Sequence, residues 1–172
     1  GANPLPGRLQ RLSNQARGVV RGGFPYSEGI YEDLNKAVQA GFYWDPDTRA
    51  EDTIRAYAAY EFSPAVAADV LRLCELLELA HTHAALQDAR RHVEELRTHA
   101  AAEVQVREWQ HVQELIRASL GSASAEDSAA GSRAARQAQS MAEDIDSRLP
   151  PRAASSWRWR ILLARARLEP LV

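Results

Sequence analysis

Apolar residues recur at steps of three and four along most of this chain, and alternation of the strand type never lasts more than a few residues. Ile30, Leu34, Ala37, Val38 and Gly41 make the first helical stripe, with Tyr31, Asn35 and Phe42 on an adjacent face. That helix is expected to begin near Ser27, a good N-cap with Glu28 in the first turn. It should stop before Asp45-Pro46, because a residue preceding proline disfavours α geometry. Thr48-Arg-Ala-Glu51 reads as a capping box for the next helix, which places Ile54, Tyr57, Ala58 and Glu61 on one side. Ser63-Pro64 starts another, with serine at N-cap and proline at N1. From Ala65 to about His81 this helix is apolar on several faces, as a central bundle helix is.

Residues 83–120 contain no glycine or proline. Leu86, Ala89, Val93, Leu96 and Ala100 keep helical phase, which slips near Glu103 and resumes at Trp109. The pattern predicts one long kinked helix or two consecutive ones. The small polar segment GSASAEDSAAGS (121–132) is expected to be a loop. Ala138, Met141, Ile145 and Leu149 define an inward stripe over residues 133–148, ended by Pro150-Pro151. A last helix, from about Ala154 to Leu168, carries two stripes: Trp157, Ile161, Ala164 and Leu168, and Trp159, Leu162, Leu163 and Ala166. Two stripes predict burial on two sides. The fold class is therefore all-α, an antiparallel helical bundle of about five to seven helices. Residues 26–172 form the bundle domain. Residues 1–25 are punctuated by proline and glycine and are expected to be irregular apart from a short helix over Leu9–Gln15. Such a segment would lie across another domain's surface.

At 172 residues the chain is one domain by default and long enough to bury a real core. Its net charge of -2 argues against a generic nucleic-acid binder, and no helix-turn-helix with a basic second helix is seen. No stretch is long and apolar enough for a membrane span, and no signal peptide is visible, so the compartment is not assigned. The start at Gly1 without methionine leads us to expect that the native chain extends further on the N-terminal side. Cys74, the single cysteine, lies in an apolar run and reads as a buried small hydrophobe.

Chemistry-bearing patterns are few. His81 and His83 are two residues apart and point to different helix faces, and no Cys or His partner has a zinc spacing, so no metal or cofactor is expected. No Gly-rich phosphate loop, GxSxG or CxxC occurs. Arg158-Trp-Arg160 suits nucleic acid or sugar, but stem packing over tryptophan is the simpler reading. The segment Tyr26-Ser-Glu28-Gly-Ile-Tyr31-Glu-Asp33-Leu-Asn35-Lys36 differs from the rest. It gathers rings that can stack on sugar faces with acid, amide and amine groups that can bond hydroxyls. Paired carboxylates also do general acid and base work in glycoside hydrolysis, although acids in a first helical turn commonly serve as caps.

Residues 25–62 resemble a segment of large bacterial glycoside hydrolases that join a TIM-barrel catalytic domain to a helical C-terminal region. The shared features are Tyr26-Ser27-Glu28-Gly29, Asp33-Leu-Asn35-Lys36, Trp44-Asp45-Pro46 and Tyr57-Ala-Ala-Tyr60-Glu-Phe62, with Leu149-Pro150 followed by Trp157-Arg-Trp-Arg160. The middle of the chain is generic helix, and no barrel precedes the motif. The resemblance implies an accessory helical domain that supports a TIM-barrel partner on the same polypeptide and lines a carbohydrate cleft. Tyr26, Glu28, Asp33, Asn35, Lys36 and Trp44 would bind substrate, and Glu28 is the one candidate for a catalytic role. Catalysis by this chain alone is not expected. The rival expectation is a stand-alone helical protein-protein interaction module, with the aromatic cluster as its binding surface.

Overall fold

Ser63 begins the central part of the fold as its sequence predicts: its hydroxyl accepts the Ala65 N–H at 3.3 Å, and Pro64 opens a single 3₁₀ turn, Pro64–Val66. In the computed structural model, which describes residues 3–26, 32–100 and 125–168, the chain is all-α. The helices are α1 (Pro6–Ala16), α2 (Asp33–Trp44), α3 (Ala50–Glu61), α4 (Ala67–Ala100), α5 (Ala125–Arg148), α6 (Pro151–Ala154) and α7 (Trp157–Leu168), with no strand among the described residues.

α4 and α5 form the spine. Arg148 at the end of α5 donates to Asp69 in the first turn of α4 at 2.6 Å, while Gly131 near the start of α5 lies against His83 further along α4. These two pairings fix an antiparallel arrangement. Val70, Leu73, Cys74 and Leu77 of α4 meet Ala134, Ala138, Ala142 and Ile145 of α5 in a continuous buried core. The small residues of α5 let the two axes approach closely. At Gly131 the approach leaves no room for a side chain: an added Cβ would lie 2.5 Å from the His83 Cβ.

α2 and α3 form a second antiparallel pair, and α3 packs it onto α4. Leu34, Val38 and Phe42 of α2 are buried, as are Ile54 and Ala58 of α3. Phe42 thus belongs to the core stripe, whereas Ala37 and Gly41 are only half-buried. Gly41 lets the Thr53 side chain of α3 close in, its Oγ1 being 2.9 Å from where a Cβ would sit. α7 lies against α5 and buries Trp159, Leu162, Leu163 and Ala166. On its other stripe Trp157 and Ala164 are exposed and Ile161 is half-buried, so among the described side chains only the Trp159 stripe is an inner face.

The helix after Pro64 runs unbroken past His81 to Ala100, since nothing between them breaks helical geometry. Two further expectations are corrected. The expected loop 121–132 is helical from Ala125, because its alanines are strong helix formers and its acids suit a first turn. The Thr48–Glu51 capping box does not form. Arg49 is the N-cap of α3 without a side-chain cap, and the Ala50 N–H donates instead to Gln10 Oε1 of α1 at 2.8 Å. The expected helix start at Ser27, the slip at Glu103 and its resumption at Trp109 lie outside the described residues.

The N-terminal segment contains α1, one turn longer at its start than the expected Leu9–Gln15 helix, and α1 docks on α2, α3 and α4. Its first turn is capped from a distance. The Gly7 and Arg8 N–H groups both donate to the Glu78 carboxylate of α4 at 2.7 Å. A carboxylate at a helix N-terminus satisfies orphan donors and complements the helix dipole.

Candidate functional site

Of the six residues singled out by sequence, Asp33, Asn35, Lys36 and Trp44 lie on α2. At the N-terminal end, Asp33 Oδ2 accepts from Tyr57 Oη of α3 at 2.8 Å and from Arg158 Nε of α7 at 2.7 Å. Arg158 also reaches Glu61 at 3.5 Å and stacks over the Trp157 ring at 4.6 Å. Three helices remote in sequence are thereby tied at one point. Asp33 titrates below the usual carboxylate range: partial burial pushes it up, but the bonds from Arg158 and Tyr57 and the charges of Arg158 and Lys36 outweigh that. Burial, then the Asp33 bond, pushes the Tyr57 hydroxyl well above its ordinary value. The Asp33 bond, opposed by burial, raises Arg158.

An Asp33 held ionised by two donors is a poor proton acceptor near neutral pH, and a Tyr57 locked as donor is a poor acid. The pit beside them, lined by Pro4, Glu32, Tyr57 and Trp157 among others, holds only about 20 Å³, about enough for a water and too small for a sugar ring. Asn35, one turn in from the same helix end, faces the N-terminal segment. Its Nδ2 donates to the Asn3 carbonyl at 2.7 Å and its Oδ1 accepts the Leu5 N–H at 3.0 Å. Both ends of the amide are therefore engaged in holding the chain entry to α1.

Lys36 is half-buried on α2 and close enough to lower the Asp33 carboxyl through its charge. Trp44 ends the helix, about 16 Å along the axis from Asp33 at 1.5 Å per residue, and is 92% exposed. Tyr26 is 76% exposed at the end of the segment that leads from α1. Glu28, together with Ser27, Gly29, Ile30 and Tyr31, lies outside the described residues. The structure thus brings Asp33, Asn35 and Lys36 to one end of α2, places Trp44 at the other, and engages Asp33 and Asn35 in intrachain bonds.

Toward the C-terminal end of α2 the surface is aromatic and apolar. Phe24 is 85% exposed, and Tyr43 is partly covered by the backbone at Gly23, where an added Cβ would meet the phenol ring at 2.6 Å. Between α1 and α2 runs a groove of about 340 Å³, walled by Leu9, Leu12 and Val20 on one side and Phe42, Tyr43 and Pro46 on the other. Arg17 closes one part of it, paired to Asp47 at 3.0 Å and to the Pro46 carbonyl. The sequence reading missed this groove. Its signal was the spacing of Leu9, Leu12 and Ala16, an apolar stripe on a segment read as mostly irregular.

Among the described residues no group of His, Cys, Asp or Glu could hold a metal ion. His81 and His83 sit on α4, with His83 packed on Gly131. His92 and His99 have side chains outside the described set, as does His111. Cys74 is buried, its thiol pushed up to about 12 by burial and by the charges of Glu75 and Glu78. No described helix is long and apolar enough to cross a membrane. No family model, curated protein or solved structure matches the chain.

Proposed function

We propose that this chain is an accessory helical domain of a carbohydrate-active enzyme of the glycoside-hydrolase type, and that it buttresses a catalytic barrel without doing chemistry itself. One observation carries the reading: Phe24, Tyr26, Tyr43 and Trp44, four large rings from the residues before α2 and from its C-terminal end, are all exposed. Exposed aromatic edges of this kind mark surfaces covered by another body. The likeness of residues 25–62 to the barrel-to-bundle junction of bacterial glycoside hydrolases supplies the identity of that body. The intrachain bonds of Asp33 and Asn35 favour buttressing over cleft lining, because Asp33 Oδ2 and both ends of the Asn35 amide already have partners within the chain. Tyr26 and Trp44 are then the described candidates on the side of the junction.

The test is the complete native polypeptide, compared with this chain by hydrogen exchange and by fluorescence quenching at Trp44. The proposal expects residues 20–26 and 43–46 to gain protection in the longer protein and the isolated chain to give no heat on titration with oligosaccharides. A native polypeptide without a catalytic domain, or an edge as exposed there as here, overturns it and leaves a stand-alone interaction module in its place.

A further inference from the structure

We infer that the groove between α1 and α2 is a seat for one amphipathic helix that carries carboxylates along its flank. Its long walls are α1 and α2, whose main-chain groups are bonded within each helix, while Arg17, Val20, Arg21, Gly22 and Pro46 line it from outside them. Along α1 and α2 an extended strand finds no edge to pair with and only inserted side chains can fill the space, which is the helix-in-groove mode. α1 offers about 16 Å of wall at 1.5 Å per residue, which matches roughly three turns of an occupant. Leu12 (50% exposed) and Val20 remain substantially in solvent there, and an occupant's side chains would cover them.

The charge around the groove selects the occupant. Arg17 and Arg21 are on the lining, and no aspartate or glutamate is. Residues 1–26 hold no carboxylate in a chain whose net charge is -2. Asp47 already partners Arg17, whereas Arg21 makes no ion pair with a described residue. An acidic flank would lie beside Arg21, and a basic flank would be repelled. The inference rests on the accessory-domain reading only for the source of the helix, an outer helix of the barrel, whose outer layer is helical.

The groove chemistry is testable without that source. A phage-displayed library of helix-biased peptides of about sixteen residues is selected on the full chain and counter-selected on Leu12→Asp, whose fold is checked by circular dichroism. The enriched peptides should share apolar residues at i, i+3 or i+4 and i+7 with Asp or Glu on one flank. A synthetic representative should bind at least about tenfold more weakly to Leu12→Asp. Arg21→Glu should weaken it by about three- to tenfold, and the wild-type complex should weaken with added salt. Absence of any Leu12-dependent binder, or enrichment of basic, neutral or non-helical sequences, overturns the inference. An aromatic edge that stays exposed in the complete polypeptide would defeat the accessory reading and leave this selection result standing.

Discussion

Arg158 and Asp33 are 125 residues apart in sequence, yet Nε of the one donates to Oδ2 of the other at 2.7 Å. With Tyr57 on the same oxygen, the pair joins α7 to the α2–α3 hairpin. Both side chains are about one-third exposed, so the bond counts as a partly screened ion pair and not a buried one. Arg158→Met should cost roughly 1–2 kcal/mol, and Tyr57→Phe about 1 kcal/mol, in urea unfolding. A double-mutant cycle should show the two losses to be coupled, because they share one carboxylate.

The same pair gives a pH dependence. The Asp33 carboxyl is depressed below its ordinary 3.8 in the folded chain. Its contribution is therefore complete above the ordinary value and is lost as pH falls through the lower folded value. Thermal melts of wild type and Asp33→Asn should differ at about pH 6 and converge toward about pH 2. A difference that persists unchanged in acid would mean the carboxylate is not what holds α7.

Much of the fold was legible because caps and stripes are local. Ser63-Pro64, the Asp45-Pro46 stop and the Ala138–Ile145 stripe all act over a few residues, and each is found where the spacing puts it. What failed was decided by distant partners. Gln10 of α1, 40 residues away, supplies the side-chain acceptor at the start of α3 by taking the Ala50 N–H, where the sequence offers a local box. Glycine 131 reads as a loop residue until His83 is seen against it. The candidate site was legible as composition but not as geometry. Asp33 and Asn35 carry suitable chemistry for hydroxyls, and only the fold shows that Arg158, Tyr57 and the Asn3–Leu5 backbone already occupy them.

The two tryptophans of α7 should respond oppositely to truncation. Trp159 is fully buried, packs edge-on to Phe62 at 5.5 Å and donates its indole N–H to Asp146 at 2.7 Å. Trp159→Ala should cost about 3–5 kcal/mol, and Asp146→Ala, which strands that N–H, about 1–3 kcal/mol. Trp157→Ala and Trp44→Ala should stay within about 0.5 kcal/mol in the isolated chain. A large loss at Trp44 would mean that its ring is part of the core and not of a docking edge.

Glu78 should matter most to the N-terminal segment. Its carboxylate receives both leading N–H groups of α1, so Glu78→Ala removes a cap supplied from another helix. The expected cost is about 1–2 kcal/mol, with amide exchange accelerated in residues 5–16 more than in α4. Because α1 is one wall of the groove, peptide capture should weaken in the same variant even though Glu78 does not line it.

Gly131→Ala reverses the usual rule for helices. Alanine is the better helix former by about 1 kcal/mol, so at an ordinary exposed site the change stabilises. Here the new methyl would sit 2.5 Å from the His83 Cβ, a contact that α4 and α5 can relieve only by moving apart along the core they share. Overpacking of this kind costs about 1–3 kcal/mol and should outweigh the propensity gain. His83→Ala keeps the offending Cβ and should not rescue the variant, whereas His83→Gly should recover part of the loss. Cys74 supplies the readout, since its thiol is fully buried in the same α4–α5 core and is pushed up to about 12. Its labelling by a thiol reagent should require opening of that core, so Gly131→Ala should speed labelling and a surface variant such as Trp157→Ala should not.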